Sequence, residues 1–303
     1  MRHLLTLENM PRVEITRLLD RAEEFRTRGQ QRELLAGCTV LNLFFENSTR
    51  TRTSFEIAAR RLGADAINFD LSRSSTAKGE SLLDTLHTLE AMKLDALVVR
   101  HGENRMPDWL AEHANSMVSV INAGDGSRAH PTQGLLDALT IRQRRDDFEN
   151  LSIVICGDIR HSRVARSDVH AFTALGARDI RLCAPRALLP EDPDEFPGCT
   201  LTEDFDGALA DADVAIMLRI QKERMAAALL PADSDYFSQY GLDAPRLALA
   251  KPDAQVLHPG PINRDVEIAG EVADGPQSRI LDQVANGVPV RMAVLAELLA
   301  LRT

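Results

Sequence analysis

Apolar positions along the chain alternate between two spacings. Apolar-rich runs at 40–45, 66–69, 96–99 and 117–121 predict strands, and the segments between them repeat apolar residues three and four apart, as helices do. Pro11 opens the first helical pattern, Ile15, Leu18, Leu19, Ala22 and Phe25 give it an inner face, and Gly29 closes it. Phe55, Ala58, Ala59 and Leu62 predict a helix ending at Gly63. Further helices are expected at 80–93, at 109–114, and from His130-Pro131-Thr132-Gln133 onward with Leu135, Leu136 and Leu139 inward. The stretches 71–79 and 122–127 are polar or turn-forming and predict loops. After a polar boundary at 142–150 the alternation resumes. Strands are expected at 152–156, 180–184 and 214–218, and helices at 164–175, 204–210 and 221–230. Polar connections are expected at 187–197 and 231–240, and the last helix from about Pro289. Strands and helices that alternate in this way predict an α/β fold with two doubly wound parallel-sheet domains.

In such a sheet, ligands sit outside the carboxyl ends of the strands. The residues just past the predicted strand ends are 48–52, Arg100 and His101, the loop leading to His130, 158–163, Arg219, and the turn His258-Pro259-Gly260-Pro261. Four of these places carry arginine, and together they predict a shared anionic cleft. The stretch 46–54 is either a capped helix start or a phosphate site. Ser48, Thr49 and Thr51 supply hydroxyls and Arg50 a planar fork, at a helix start whose free N–H groups suit an anion. First-turn arginines oppose the helix dipole, so a cap alone does not explain them. His130 either caps its helix or donates to a carbonyl oxygen, and Gln133 lies one turn on. Lys78 is either a solvated lysine or a loop cation that folds over a bound anion. Asp158, beside Arg160 and Arg163, is expected to be an ion-pair partner.

Composition sharpens this picture at few points. A chain of 303 residues accommodates two domains of about 150 residues each. Net charge is −10, which opposes a nucleic-acid or acidic-membrane partner and requires any anion site to concentrate its cations locally. No apolar run reaches the ~18 residues that a membrane span needs, and the first residues show no long h-region. Cys38, Cys156, Cys183 and Cys199 lack CxxC spacing; Cys156 and Cys183 are expected to be buried thiols in a reducing cytoplasm. The chain contains no P-loop, no GxSxG, no HExxH, and no GxGxxG after a strand. His161 has no partner at zinc spacing. The expectation is therefore no metal and no cofactor.

Ser48-Thr49-Arg50-Thr51-Arg52 resembles the carbamoyl-phosphate signature of the transcarbamoylase family, and His130-Pro131-Thr132-Gln133 resembles the second signature of that family. Phe44-Phe45-Glu46, Lys78-Gly79-Glu80, Val99-Arg100-His101, 122–126, Gly157-Asp158 with Arg163, and 219–224 follow in order, and the match runs to Arg291-Met292-Ala293. The resemblance is to the aspartate-specific members. It implies a carbamoyl-phosphate domain of residues 1–145 plus 285–303, an aspartate domain of residues 146–284, and an active site in the cleft between them. It implies that Ser48, Thr49, Arg50, Thr51 and Arg100 hold phosphate, and that Thr51, Arg100, His130 and Gln133 contact the carbamoyl group. Arg163, Arg219 and Gln221 would hold aspartate, and the turn would use backbone groups of Pro259 and Gly260. Some relatives have leucine in place of Gly260.

Ser74 and Lys78 match a loop that enters the site of the adjacent subunit in a homotrimer, Ser75 being the alternative to Ser74. Regulatory or dihydroorotase-type chains are possible further partners of such trimers. Ornithine-specific relatives, the nearest alternative, carry HCLP at the turn and lack the Lys78 loop; a non-catalytic anion-binding relative is the other. The two substrates together bring about four negative charges, which would repel one another in a desolvated cleft. Arg50, Lys78, Arg100, Arg163 and Arg219 would offset them. No side chain is an obvious nucleophile, so direct attack through a tetrahedral intermediate is expected, with Thr51, Arg100 and His130 as donors to the oxyanion.

Overall fold

The computed structural model describes residues 1–69, 81–220 and 233–300. The expected loop at 71–79 with Ser74 and Lys78, and the expected helix at 221–230 with Gln221, lie outside the described residues. The chain divides into two compact units. Unit 1 is Met1–Leu136 with Val284–Thr303, and unit 2 is Asp137–Gln283.

Unit 1 begins with α1 (Arg12–Arg28), which buries the five apolar residues of its predicted inner face. Strands β1 (Thr39–Phe44), β2 (Asp65–Phe69), β3 (Ala96–His101) and β4 (Ser119–Asp125) form a parallel sheet in the order β2-β1-β3-β4. The two faces follow from the period of two along each strand. Leu41, Leu43, Leu97 and Val99 pack with Leu86 and Leu89 of α3 (Leu82–Ala91) and Leu110 of α4 (Met106–His113). On α2 (Thr49–Leu62), Phe55, Ala58, Ala59 and Leu62 are buried as their spacing predicts, and Gly63 closes the helix in the left-handed region. α5 (Pro131–Arg142) follows β4 and runs into unit 2. β4 is longer than its apolar run: the expected loop residues Asn122, Ala123, Gly124 and Asp125 continue the strand and are buried.

Unit 2 holds β5 (Ser152–Cys156), α6 (Arg163–Leu175), β6 (Asp179–Cys183), β7 (Thr200–Thr202), α7 (Phe205–Leu209) and β8 (Val214–Met217). These are followed by α8 (Asp233–Tyr240), α9 (Ala244–Leu247), β9 (Gln255–Leu257) and α10 (Gly270–Ala273), and then by α11 (Ile280–Leu299), which from Val284 onward belongs to unit 1. Its sheet is parallel, in the order β7-β6-β5-β8-β9. Two expectations are corrected. Most of the connection expected at 231–240 is helix α8, stabilised by Tyr236 and Tyr240, whose rings stack at 5.5 Å one turn apart. The last helix starts at Ile280 rather than near Pro289, which lies inside it. Cys156 and Cys183 are buried free thiols as expected, and burial pushes the Cys156 thiol well up. No helix among the described residues is long and apolar enough to cross a membrane.

One buried acid of unit 2 makes stability depend on pH. Asp168 on α6 is fully enclosed, and burial, then the neighbouring Asp137 of α5, pushes its carboxyl well above the usual carboxylate range. The unfolded chain releases this proton in the ordinary range, at about pH 4. Above that point the native state binds the extra proton, so stability falls as pH rises toward the native pKa. Asp168→Asn keeps the volume and removes the titration. Relative to the parent's, its melting temperature is expected to rise as pH increases above the ordinary carboxylate range, as thermal unfolding monitored by circular dichroism would show.

Candidate active site

Each sheet has one point at which its strand order reverses direction; residues 48–52 and Arg100 lie at the first and Asp158, Arg163 and Arg219 at the second, while His130, Gln133 and the 258–261 turn follow the next strand along. In unit 1 the reversal lies between β1 and β3, and in unit 2 between β5 and β8. A crevice opens at such a point because the flanking connections leave on opposite faces.

At the first reversal, β1 ends at Phe44 and α2 begins at Thr49. Ser48 is in extended conformation at the N-cap, its carbonyl accepts from Arg52 N–H at 3.2 Å, and its hydroxyl caps nothing. The first turn of α2 contains no acid. Thr49 and Arg50 are exposed, whereas Thr51 is buried. Ser54 donates instead to the carbonyls of Arg50 and Thr51 at 2.7 and 2.9 Å, bracing the turn from behind. The result is a helix N-terminus with a guanidinium and hydroxyls beside it, a fit for a tetrahedral oxyanion.

Arg100 stands across from Phe44 on β3, where the register against β4 shifts between Val99 and His101. Such a shift re-aims a side chain. The guanidinium donates to the carbonyl of Ala123 at 3.2 Å and pairs with Glu46 at 3.4 Å, so Glu46 holds Arg100 at the end of the neighbouring strand. His130 is buried, and its carbonyl accepts from the N–H groups of Gln133 and Gly134, which places it at the cap of α5. Gln133, one turn on, is also buried.

The approach to His130 depends on Asp125, which was expected to be part of a plain loop. Its fully buried carboxylate accepts from Asn122 Nδ2 at 2.8 Å, Ala129 N–H at 3.1 Å, Arg105 N–H at 2.7 Å and Arg128 at 3.2 Å. Arg128 in turn forks onto Asp108 at 2.7 and 3.0 Å. The signal was present in Asn122-Ala123-Gly124-Asp125-Gly126, where an acid directly continues an apolar strand, but spacing alone does not distinguish a buried hub from a turn.

At the second reversal, Gly157 has φ +138, and a Cβ there would lie 2.6 Å from the carbonyl oxygen of Leu218. Only glycine lets the ends of β5 and β8 approach this closely. Asp158 follows, fully buried, and its carboxylate meets His161 Nδ1 at 2.9 Å. Asp158 is thus paired, but with His161; Arg160, one of the two arginines beside it in sequence, turns to Glu191 at 2.5 Å. Ser162 caps α6 by accepting from Ala165 N–H at 3.0 Å, and Arg163 is buried in the first turn. Arg219 is half-buried just past β8.

The 258–261 turn follows β9, the strand beside β8. Gly260 N–H donates to His258 Nδ1 at 2.8 Å, so the proton of this imidazole sits on Nε2 and is donated to Glu267 at 3.0 Å. Glu267 also accepts from Asn263 N–H at 2.6 Å. Pro259 and Gly260 themselves are half-buried. No group of three or more His, Cys, Asp or Glu side chains among the described residues could hold a metal ion.

Comparison with known proteins bears on both units. Residues 2–143 match the family model described as aspartate/ornithine carbamoyltransferase, carbamoyl-P binding domain, and residues 149–298 match its Asp/Orn binding domain. The chain is 58% identical over 304 aligned residues to an aspartate carbamoyltransferase catalytic subunit from Xanthomonas campestris pv. campestris (strain B100), covering 99% of this chain and 96% of the relative. It is 55% identical, with the same coverage, to one from Stenotrophomonas maltophilia (strain R551-3). Among solved structures, aspartate transcarbamoylase from Trypanosoma cruzi in complex with carbamoyl aspartate and phosphate superposes with a TM-score of 0.88 at 32% identity, covering 98% of this chain and 96% of that one. Ornithine carbamoyltransferase from Thermus thermophilus superposes almost as well, with a TM-score of 0.87 at 28% identity and 98% coverage of both chains. The fold is therefore common to both acceptor types, and sequence identity separates them.

Proposed function

The chain belongs to the aspartate/ornithine carbamoyltransferase family, and from that premise we infer that it transfers the carbamoyl group of carbamoyl phosphate to the amine of L-aspartate. The products are N-carbamoyl-L-aspartate and phosphate, the carbamoyl step of pyrimidine biosynthesis. The observation that carries the choice of acceptor is the set of full-length relatives at 55% to 58% identity, all aspartate carbamoyltransferase catalytic subunits. Arg163 and Arg219, flanking the β5/β8 reversal, support it. Cations there suit the two carboxylates of aspartate and would repel the side-chain ammonium of ornithine.

In this reading Ser48, Thr49, Arg50, Thr51 and Arg100 hold the phosphate. Thr51, Arg100, His130 and Gln133 face the carbamoyl group. Arg163, Arg219 and Gln221 hold aspartate, and backbone groups of Pro259 and Gly260 bracket the reacting centre. The aspartate amine attacks the carbonyl carbon, a tetrahedral intermediate forms, and the C–O bond to phosphate breaks. The oxyanion takes hydrogen bonds from Thr51, Arg100 and His130. The departing phosphate accepts the amine proton, so no dedicated base is required. Positioning and charge stabilisation supply the rate. The carbamoyl-phosphate part comprises residues 1–145 plus 285–303 and the aspartate part residues 146–284. The enzyme works in the cytoplasm as a homotrimer, in which Ser74 and Lys78 serve the adjacent subunit's site, with regulatory or dihydroorotase-type chains as possible further partners.

Two experiments test this reading. Arg219→Ala should raise KM for aspartate by about 100-fold, the scale of a lost bidentate charge pair, and leave carbamoyl-phosphate affinity unchanged. Steady-state kinetics in each substrate checks this, and an effect confined to carbamoyl phosphate would remove Arg219 from the acceptor site. Mixing inactive Lys78→Ala and Arg50→Ala chains should restore part of the activity in hybrid trimers; verified hybrids that stay inactive would place each site within one chain.

A further inference from the structure

Three buried residues of unit 2 form a hydrogen-bond relay that ends at the 258–261 turn. His258 N–H donates to Gln283 Oε1 at 2.8 Å, and Gln283 Nε2 donates to Asp137 Oδ1 at 2.5 Å. Asp137, Gln283 and His258 are all at most 2% exposed. Asp137 lies on α5, two turns after His130. Gln283 lies in the first turn of α11. The relay has a direction set by chemistry: the backbone N–H of His258 can only donate, so it takes the carbonyl end of the Gln283 amide and leaves the N–H₂ end for the Asp137 carboxyl oxygen. The backbone of the turn is thereby fixed at two N–H groups, His258 to Gln283 and Gly260 to the His258 ring.

We propose that Asp137 and Gln283 are positioning residues for carbamoyl transfer, aiming the Pro259 and Gly260 backbone groups at the reacting centre by way of the His258 amide. This inference rests on the function proposed above. The residues touch no substrate; they act through the turn. A displaced turn mis-sets groups that must meet the tetrahedral centre, and a misplacement of about 1 Å can cost ~100-fold in rate. An amide at 283 that lost its direction would leave the His258 N–H facing a second donor.

The test is a charge-order swap. Gln283→Glu puts a second buried carboxylate against Asp137 and should lower kcat for aspartate carbamoylation by about 10- to 100-fold, with the dissociation constant for carbamoyl phosphate unchanged by calorimetry. In the double variant Asp137→Asn/Gln283→Glu, amide and carboxylate exchange places and both bonds form again. Its kcat should return to within a few-fold of the parent. Asp137→Asn alone still accepts from Gln283 and should be mild. A Gln283→Glu protein with parental kcat overturns the proposal. So does a lowered melting temperature with kcat untouched, or a double variant that melts like the parent yet turns over no faster than Gln283→Glu. If the parent itself makes no N-carbamoyl-L-aspartate, the proposed function fails; if the parent is active and the variants are indifferent, only the positioning role fails.

Discussion

Arg50→Ala is expected to lower kcat/KM for carbamoyl phosphate by about 100- to 1,000-fold or more while the melting temperature stays at the parental value. The two halves of this expectation come from different parts of the structure. Arg50 is exposed in the first turn of α2, and the buried face of that helix is Thr51, Phe55, Ala58, Ala59 and Leu62, none of which the substitution touches. Truncating an exposed side chain away from the core changes stability by roughly 0.5 kcal/mol or less. In the proposed function the charge, by contrast, has a specific use. A cation in the first turn opposes the helix dipole unless an anion binds there. Removing it takes a planar, charge-assisted fork from a phosphate that leaves with a growing negative charge. Steady-state kinetics with a parallel melting curve checks both halves; near-parental kinetics would take the α2 N-terminus out of the active site.

His130→Ala carries the second large effect, of a different kind. The side chain is buried at the cap of α5, beside Gln133. An imidazole N–H placed at this cap can donate one hydrogen bond. Such a donor is worth most to the oxyanion of the tetrahedral intermediate and less to the ground-state carbonyl. The expected result is a kcat lower by about 100-fold with the carbamoyl-phosphate dissociation constant changed by no more than a few-fold. Comparing kcat with an equilibrium binding measurement separates the two, and a defect confined to binding contradicts the oxyanion role.

Much of the fold was legible because period and punctuation agreed. The strands β1, β3, β5 and β8 are rich in apolar residues and buried along most of their length, and α1, α2 and α6 have buried inner faces and closing glycines. The missed elements lacked such agreement. α8 has the string Asp-Ser-Asp-Tyr-Phe-Ser-Gln-Tyr, poor in strong helix formers, and takes its stability from two tyrosines that the fold buries. The start of α11 was masked by Pro289, which costs a helix interior about 3 kcal/mol. The fold offsets that penalty by burying Gln283, Asn286, Val290 and residues 292–295 along the same helix. β7 has only three residues and sits at a sheet edge.

The candidate residues were legible for a related reason. Strand-end position is a local property, and arginine at a strand end in an acidic protein stands out. The residues that hold those groups in place were not. Asp125, Asp137, Glu267 and Gln283 are buried polar side chains whose partners are set by tertiary structure, up to 146 positions away for Gln283 and Asp137. No spacing rule announces them. Asp158 was recognised as a paired acid beside Arg160 and Arg163, but the side chain it meets is His161, while Arg160 turns to Glu191.

The most direct measurement is of product identity. The purified chain is incubated with carbamoyl phosphate and either L-aspartate or L-ornithine, and ureido product and phosphate are quantified together. The expected result is N-carbamoyl-L-aspartate and phosphate in equal amounts from aspartate, and no citrulline from ornithine. Citrulline as the main product, or no ureido product from either amino acid, would contradict the account.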